Sequence, residues 1–157
     1  MFPTPDQDTP RQELTRALRL LPRVPHGRAA ATRRALPMVL PASHLVTGET
    51  LLLRVTHPDA DLPPWDGTVL AYEADDEGGR PGSPAPWQAQ VIGVATVTHP
   101  DRRVREAFPP PPRYARHPEA TYLRLTPRYA SVYEPGPPAP ARPWLPRPRA
   151  GGDEPPG

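Results

Sequence analysis

The chain has 157 residues, 29 of them Pro and none Cys, with a net charge of only +2 despite a pI near 9.4. That length gives room for one domain, and the missing Cys excludes disulfides, thiolate nucleophiles and Cys-ligated zinc or iron–sulfur sites. All 19 basic residues are Arg, so a Schiff-base lysine, covalent pyridoxal phosphate chemistry and lysine-based aldolases are excluded as well.

Asn is also absent and Ile92 is the single Ile, a bias that fits a high-G+C coding sequence. The charges are mixed in sign and form no basic stripe interleaved with aromatics, so no nucleic-acid partner is expected. No apolar run approaches the roughly 18–20 residues that span a bilayer, and the first residues lack a charged-then-apolar signal pattern. The expectation is a soluble, cytoplasmic protein with no membrane partner.

Residues 1–8 read as a disordered leader, residues 9–134 as the folded domain, and residues 135–157 as a disordered Pro/Arg-rich tail. Thr9-Pro10-Arg11-Gln12 gives a helix start, with Thr as the cap and Pro at the first helical position. Leu14, Ala17, Leu18 and Leu21 then make one apolar face that packs on the domain, and Pro22 and Pro25 end the helix.

Gly27 to Arg33 is a weak strand candidate, because three successive Ala carry little β propensity. Leu36 to Val46 is stronger, but Pro37 and Pro41 confine it to an edge or to positions whose missing N–H faces no neighbour. Thr47-Gly48-Glu49 is a turn, and Thr50 to Thr56 completes a hairpin. His57-Pro58-Asp59 breaks it, and Pro63 and Pro64 keep Asp59 to Gly67 from holding a long helix.

Thr68 to Asp76 alternates Val69, Ala71 and Glu73 against Leu70, Tyr72 and Ala74, so both faces are expected to be partly covered. Trp87 to His99 is the longest β-branched run, with Gly93 as a bulge or point of close approach. Asp101 to Phe108 predicts two helical turns, stopped by Pro109 to Pro112 in polyproline II form. Thr121 to Thr126 and Tyr129 to Tyr133 supply the last strand material.

Five His (His26, His44, His57, His99, His117) are scattered, and no pair shares a helical face, so no metal site is expected. Asp75, Asp76 and Glu77 beside Gly78-Gly79 read as a solvated turn. Ser43, Ser83 and Ser131 are the three Ser, none in a nucleophile-elbow context, so no catalytic residue is assigned. Pro143-Trp144-Leu145-Pro146 in the tail has the PxxP form of a docking motif.

The ordered set of elements resembles the pyridoxamine 5′-phosphate oxidase-like family, the flavin-binding split β-barrels, in its short bacterial form. The resemblance is carried by Ala35-Leu36-Pro37-Met38-Val39-Leu40-Pro41, by Gly48-Glu49-Thr50-Leu51-Leu52-Leu53-Arg54 and by Val69 to Asp76. Trp87-Gln88-Ala89-Gln90-Val91-Ile92-Gly93-Val94-Ala95 and Tyr122-Leu123-Arg124-Leu125-Thr126-Pro127 complete it. It implies a mainly β (α+β) fold: a six-stranded antiparallel Greek-key split barrel with an N-terminal helix and one short helix, paired as a homodimer. It further implies flavin mononucleotide (FMN) at the dimer interface, with deazaflavin or haem as alternatives in some members.

In such proteins the strand ending in Arg-Thr runs into a Gly-Ser-Lys-like turn that holds the cofactor phosphate. Here Arg54 matches the Arg, but the chain continues Val55-Thr56-His57-Pro58-Asp59-Ala60-Asp61, with no Lys and two carboxylates. The closing Gly-Arg is likewise replaced near Val132-Tyr133. The resemblance therefore implies weak FMN binding through Arg54 and Thr56, with Ser43, His44, Trp87 and Gln88 near the ring.

Each of those residues has a plainer reading. Arg54 at a strand end suits Asp75 or Asp76 as an ion-pair partner, Trp87 suits a dimer interface, and His44 suits a hydrogen-bonded barrel position. Two functions follow. One is an FMN-type oxidoreductase of unknown substrate, and the other is a cofactor-free split-barrel dimer acting as a structural or binding module.

Overall fold

A computed structural model describes residues 9–57, 65–78, 81–82, 85–113 and 120–134. The predicted leader, the PxxP tail and the turn from Pro58 to Asp61 lie outside those residues. The elements are α1 (Thr9–Leu20), β1 (His26–Arg33), β2 (Leu36–Thr47), β3 (Thr50–Thr56), β4 (Thr68–Asp76), β5 (Trp87–Val97), α2 (Arg102–Ala107) and β6 (Ala120–Tyr133). The six strands close into an antiparallel barrel in the order β1-β2-β3-β6-β5-β4.

Residue parity builds the interior. Leu51, Leu53 and Val55 of β3, Leu70, Tyr72 and Ala74 of β4, Trp87, Ala89, Val91 and Ala95 of β5, and Leu123 and Leu125 of β6 all point inward and are buried. α1 plugs the barrel with Ala17, Leu20 and Leu21, and Pro22 converts its end into a 3-10 turn over Leu21–Arg23 rather than ending it outright. Two polar contacts fix α1 on β6: a Glu13 carboxylate oxygen accepts from Val132 N–H at 2.8 Å, and Arg16 pairs with Glu134.

Proline placement in β2 follows from register. β3 pairs only with Ala42–Thr47, so Pro37 and Pro41 lie where β2 has β1 as its one neighbour. Their missing N–H groups leave no ladder bond unmade, as the edge argument requires. β1 itself is a full strand despite its Ala run, because β2 and β4 flank it on both sides.

Two sequence expectations are corrected. The longest strand is β6, at 14 residues, not the run from Trp87, which spans 11 and ends at Val97. The two final strand pieces are one strand across Pro127. The register of β5 and β6 shifts between Ile92 and Gly93, whose partners are Tyr129 and Pro127, so the extra residue of the bulge is on β6. Gly93 is the close-approach point, since a Cβ there would sit 2.7 Å from the Thr126 carbonyl carbon. The outer face of β4 is covered in part, as expected: Ala71 and Glu73 are half-buried, while Val69 is 65% exposed.

α2 begins where Asp101 accepts from Val104 N–H at 2.9 Å, an N-cap that satisfies one of the free amides of the first turn. It ends at Ala107 with Phe108 as its C-cap, and the proline tract that follows is neither helix nor strand.

Candidate functional site

Residues paired across antiparallel strands share a face, so the register sorts the six predicted cofactor residues. His44 stands in a row with Leu53 and Leu123 and points inward. Trp87 is likewise in the core and 3% exposed, which removes it from the outer surface where a ligand edge or a partner subunit would meet it. Gln88 faces outward on β5, two strands from β3, and donates to Glu73 Oε1 at 3.0 Å. Its surroundings include Asp75, Asp76 and Glu77, an acidic neighbourhood unsuited to a phosphate.

Ser43, Arg54 and Thr56 do come together, on the outer face of β2 and β3. The register lays down one continuous outer row across four strands: His26 of β1, Ser43 of β2, Arg54 of β3 and Tyr122 of β6. Ser43 and Thr56 are buried although they face away from the core.

The segment after α2 lies over this row. Phe108 is buried and stands beneath the Arg54 guanidinium, 5.4 Å from its centre, and meets Tyr122 edge-on at 5.5 Å. Arg54 donates through an Nη to the Pro109 carbonyl, and His26 Nε2–H donates to the Pro110 carbonyl at 2.6 Å. The expected ion pair of Arg54 with Asp75 or Asp76 is not formed; a backbone carbonyl takes the guanidinium instead. Arg54 Nε is buried and has no partner among the described residues.

Beside this row lies a hollow of about 470 Å³, walled by Pro22 to Pro25 on one side, by Ala107 and Pro109 on the other, and by His44, Leu45 and Val46. Pro109 is common to both features. His44 closes the hollow's inner end, with Nε2–H donating to the Leu21 carbonyl at 2.6 Å and Nδ1 accepting from the Tyr72 hydroxyl. A carbonyl can only accept, so the tautomer is fixed as Nε2–H. Burial pulls the His44 pKa below its ordinary value, partly offset by the bond to Leu21. Burial also raises the Tyr72 pKa, with Glu73 adding to it, so both groups are neutral near pH 7.

The orphaned Arg54 Nε and the adjoining hollow fit a ligand with one phosphate arm and an apolar body. The inward Trp87 and His44 do not offer themselves to that body as stacking surfaces. Sequence reasoning missed Phe108, Pro109, Pro110, His26 and Tyr122 because the contacts that gather them around Arg54 are long-range. The Trp87 orientation was readable, since Trp87, Ala89 and Val91 share one parity in an apolar row.

The profile of the pyridoxamine 5′-phosphate oxidase family matches residues 13–134, and the chain belongs to that family. The uncharacterized protein Rv0080 of Mycobacterium tuberculosis is 39% identical over 95 residues; the match covers 57% of this chain and 61% of that protein's length. Among solved structures, the FAD binding protein from Mycobacterium smegmatis aligns with a TM-score of 0.54 at 22% identity, covering 76% of this chain and 92% of its own. The FAD and heme binding protein from the same organism aligns at 0.57 and 18% identity, over 81% and 74% of the two chains. A FAD-binding protein from Mesorhizobium loti aligns at 0.51 and 14%, over 75% and 90%. These likenesses establish the fold. Among the described residues, no helix is long and apolar enough to cross a membrane.

Proposed function

We propose that this chain is a homodimeric flavin-binding protein whose cofactor phosphate is received by Arg54, with Ser43 and Thr56 beside it. The observation that carries this reading is the Arg54 guanidinium on an outer strand row, with a buried N–H still unpartnered and, across Pro109, a hollow lined by prolines, Leu45 and Val46 with Arg23 in its wall. A planar guanidinium offers paired donors that suit phosphate oxygens. The family match and the flavin-binding neighbours support it. A bound flavin would supply hydride chemistry, which makes the protein an oxidoreductase whose substrate the chain does not identify.

This chain's part in that reading is binding and orientation. Arg54 holds the phosphate arm, Pro22 to Pro25 and Leu45 exclude water from the body, and neutral His44 closes the inner end. FMN is the form proposed, its phosphate arm taken by Arg54; Arg23 in the wall of the hollow is a second guanidinium, so titration with FMN and with FAD decides between the two. Loss of a second charge-assisted contact costs about 1.5–3 kcal/mol, so binding should be weak by about one to two decades.

One observation favours the second reading, a cofactor-free structural or binding module: Arg54 already has Phe108 beneath it and the Pro109 carbonyl as acceptor. The visible spectrum of the purified protein, followed by titration with FMN and with FAD, separates the two. Saturable FMN binding that Arg54→Ala removes supports the flavin reading. A colourless protein that binds neither at millimolar ligand sinks it in favour of the module.

A further inference from the structure

The segment Phe108–Pro110 crosses the outer row strand by strand. Phe108 sits on Tyr122 and Arg54, the Pro109 carbonyl on Arg54, and the Pro110 carbonyl on His26, so the path runs from β6 across to β1 over Ser43. We propose that this segment is a competitive strap: its carbonyl oxygens occupy the donors of Arg54 and His26 that a phosphate-bearing ligand needs, and such a ligand binds by displacing it.

Three properties of the segment argue for displacement rather than permanent cover. First, Pro109 to Pro112 have no N–H, so the tract presents acceptors alone and cannot add a backbone ladder to the barrel. Its described attachments to the row are four contacts on three side chains: the Phe108 ring against Tyr122 and Arg54, one guanidinium bond from Arg54 and one imidazole bond from His26. Second, a carbonyl is a neutral acceptor, and phosphate oxygens carrying charge make the stronger bonds to Arg54. Third, the same Pro109 walls the neighbouring hollow. Lifting the strap therefore joins the hollow to the guanidinium, giving one continuous site for a phosphate arm and an apolar body.

The strap also sets affinity. A ligand that binds only the open form has its apparent dissociation constant raised by the inverse of the open fraction. The inference rests on the flavin reading for the body of the ligand, but not for its phosphate arm.

The test compares wild type, Phe108→Ala and Phe108→Leu, each alone and with Arg54→Ala, using inorganic pyrophosphate and FMN as separate probes by calorimetry and flavin fluorescence. Phe108→Leu keeps an apolar cover while removing the ring face under the cation, so it serves if the alanine variant fails to fold. Removing the ring should tighten binding of both probes by about tenfold, and Arg54→Ala should erase the gain. A gain for pyrophosphate without one for FMN keeps the strap and defeats the flavin reading. Equal FMN affinity in wild type and folded Phe108 variants defeats the strap and keeps the flavin. If no folded variant binds either probe, a freed Arg54 is not an anion ligand and both fail.

Discussion

His44 and Tyr72 form a neutral hydrogen-bonded pair inside the barrel, with the tyrosine hydroxyl as donor and imidazole Nδ1 as acceptor. The Leu21 carbonyl on the far side of the ring makes that polarity obligatory. The 3-10 turn after α1, strand β2 and strand β4 are thus joined through one imidazole. Protonating His44 would put a second N–H against the phenol oxygen, reversing the polarity of that bond, and would bury a charge in the core. The unfolded chain takes up this proton near pH 6.5, whereas the folded chain resists it to lower pH, so the unfolded state binds more protons between the two values. Stability therefore falls as pH drops through that window and is flat above it. Chemical denaturation at several pH values should show this slope, and His44→Gln should flatten it. Tyr72→Phe leaves Nδ1 buried without a donor and should cost about 1–3 kcal/mol; an unchanged midpoint would refute the pairing.

Two glycines are close-approach positions. A Cβ on Gly27 would run into the Glu73 backbone carbonyl and lie 2.6 Å from Tyr72 Cζ, and one on Gly93 would meet the Thr126 backbone. Gly27→Ala should destabilise by about 1–3 kcal/mol and loosen the His44 pair as the phenol is pushed away. Gly93→Ala meets backbone alone, at the Thr126 carbonyl and Pro127 Cα, and should cost at least as much. Urea melts that rank them in the opposite order would contradict the bulge geometry.

The β1–β2 connection is a two-residue hairpin turn, with Arg33 paired to Leu36 and both Arg34 (φ 46°) and Ala35 (φ 64°) in the left-handed region. That turn type normally takes Asn-Gly, and this chain has no Asn. Ala35→Gly removes a left-handed non-glycine residue and should stabilise by about 0.5–1 kcal/mol, net of the added backbone entropy of the unfolded chain. A lower thermal midpoint would count against the turn.

An apolar row crosses five strands on the outer wall away from Arg54: Val39, Ala30, Ala71, Ile92 and Tyr129, in register from β2 to β6. Val39, Val69 and Tyr129 on this wall are more than half exposed. Beside it runs a polar row with an Arg28–Glu73 ion pair at 3.9 Å. A second copy of this chain is the proposed occupant of this wall. Light scattering should give twice 17.3 kDa, and Val69→Arg should shift the protein to monomer while preserving its circular dichroism. Wild type that is monomeric at micromolar concentration would rule the interface out.

How much was legible in the sequence depended on the range of the interaction that decides each feature. Strand β5 announced itself through Val91 to Val97, and the Thr50–Thr56 strand through its glycine turn and Leu run. The β1–β2 turn carried no signal, because Arg34 and Ala35 do not prefer the conformation that strand pairing imposes on them. Pro127 reads locally as a break, yet β6 continues through it because the bulge opposite Gly93 leaves its missing N–H without a required partner. At the site, residue type pointed to Arg54 as an anion ligand. That Phe108 and two proline carbonyls would occupy it is a tertiary fact with no local signature. The direction of Trp87 was present in parity but was outweighed by the resemblance.

Strand β6 is the element between the two halves of the barrel, pairing with β3 on one side and β5 on the other, while β1 and β4 meet through only three residue pairs. The β1–β3 meander and the β4–β5 hairpin can each form from local contacts as the chain is made. Neither can close on the other until the last described strand, Ala120–Tyr133, is available. A nascent chain that stops short of Ala120 therefore presents the open edges of β3 and β5, both flanked by apolar side chains, which is the condition that promotes intermolecular strand pairing. Closure is the slow, non-local step of folding here. Yield of native protein should consequently depend on translation and chaperone conditions late in synthesis more than on the stability of the finished barrel.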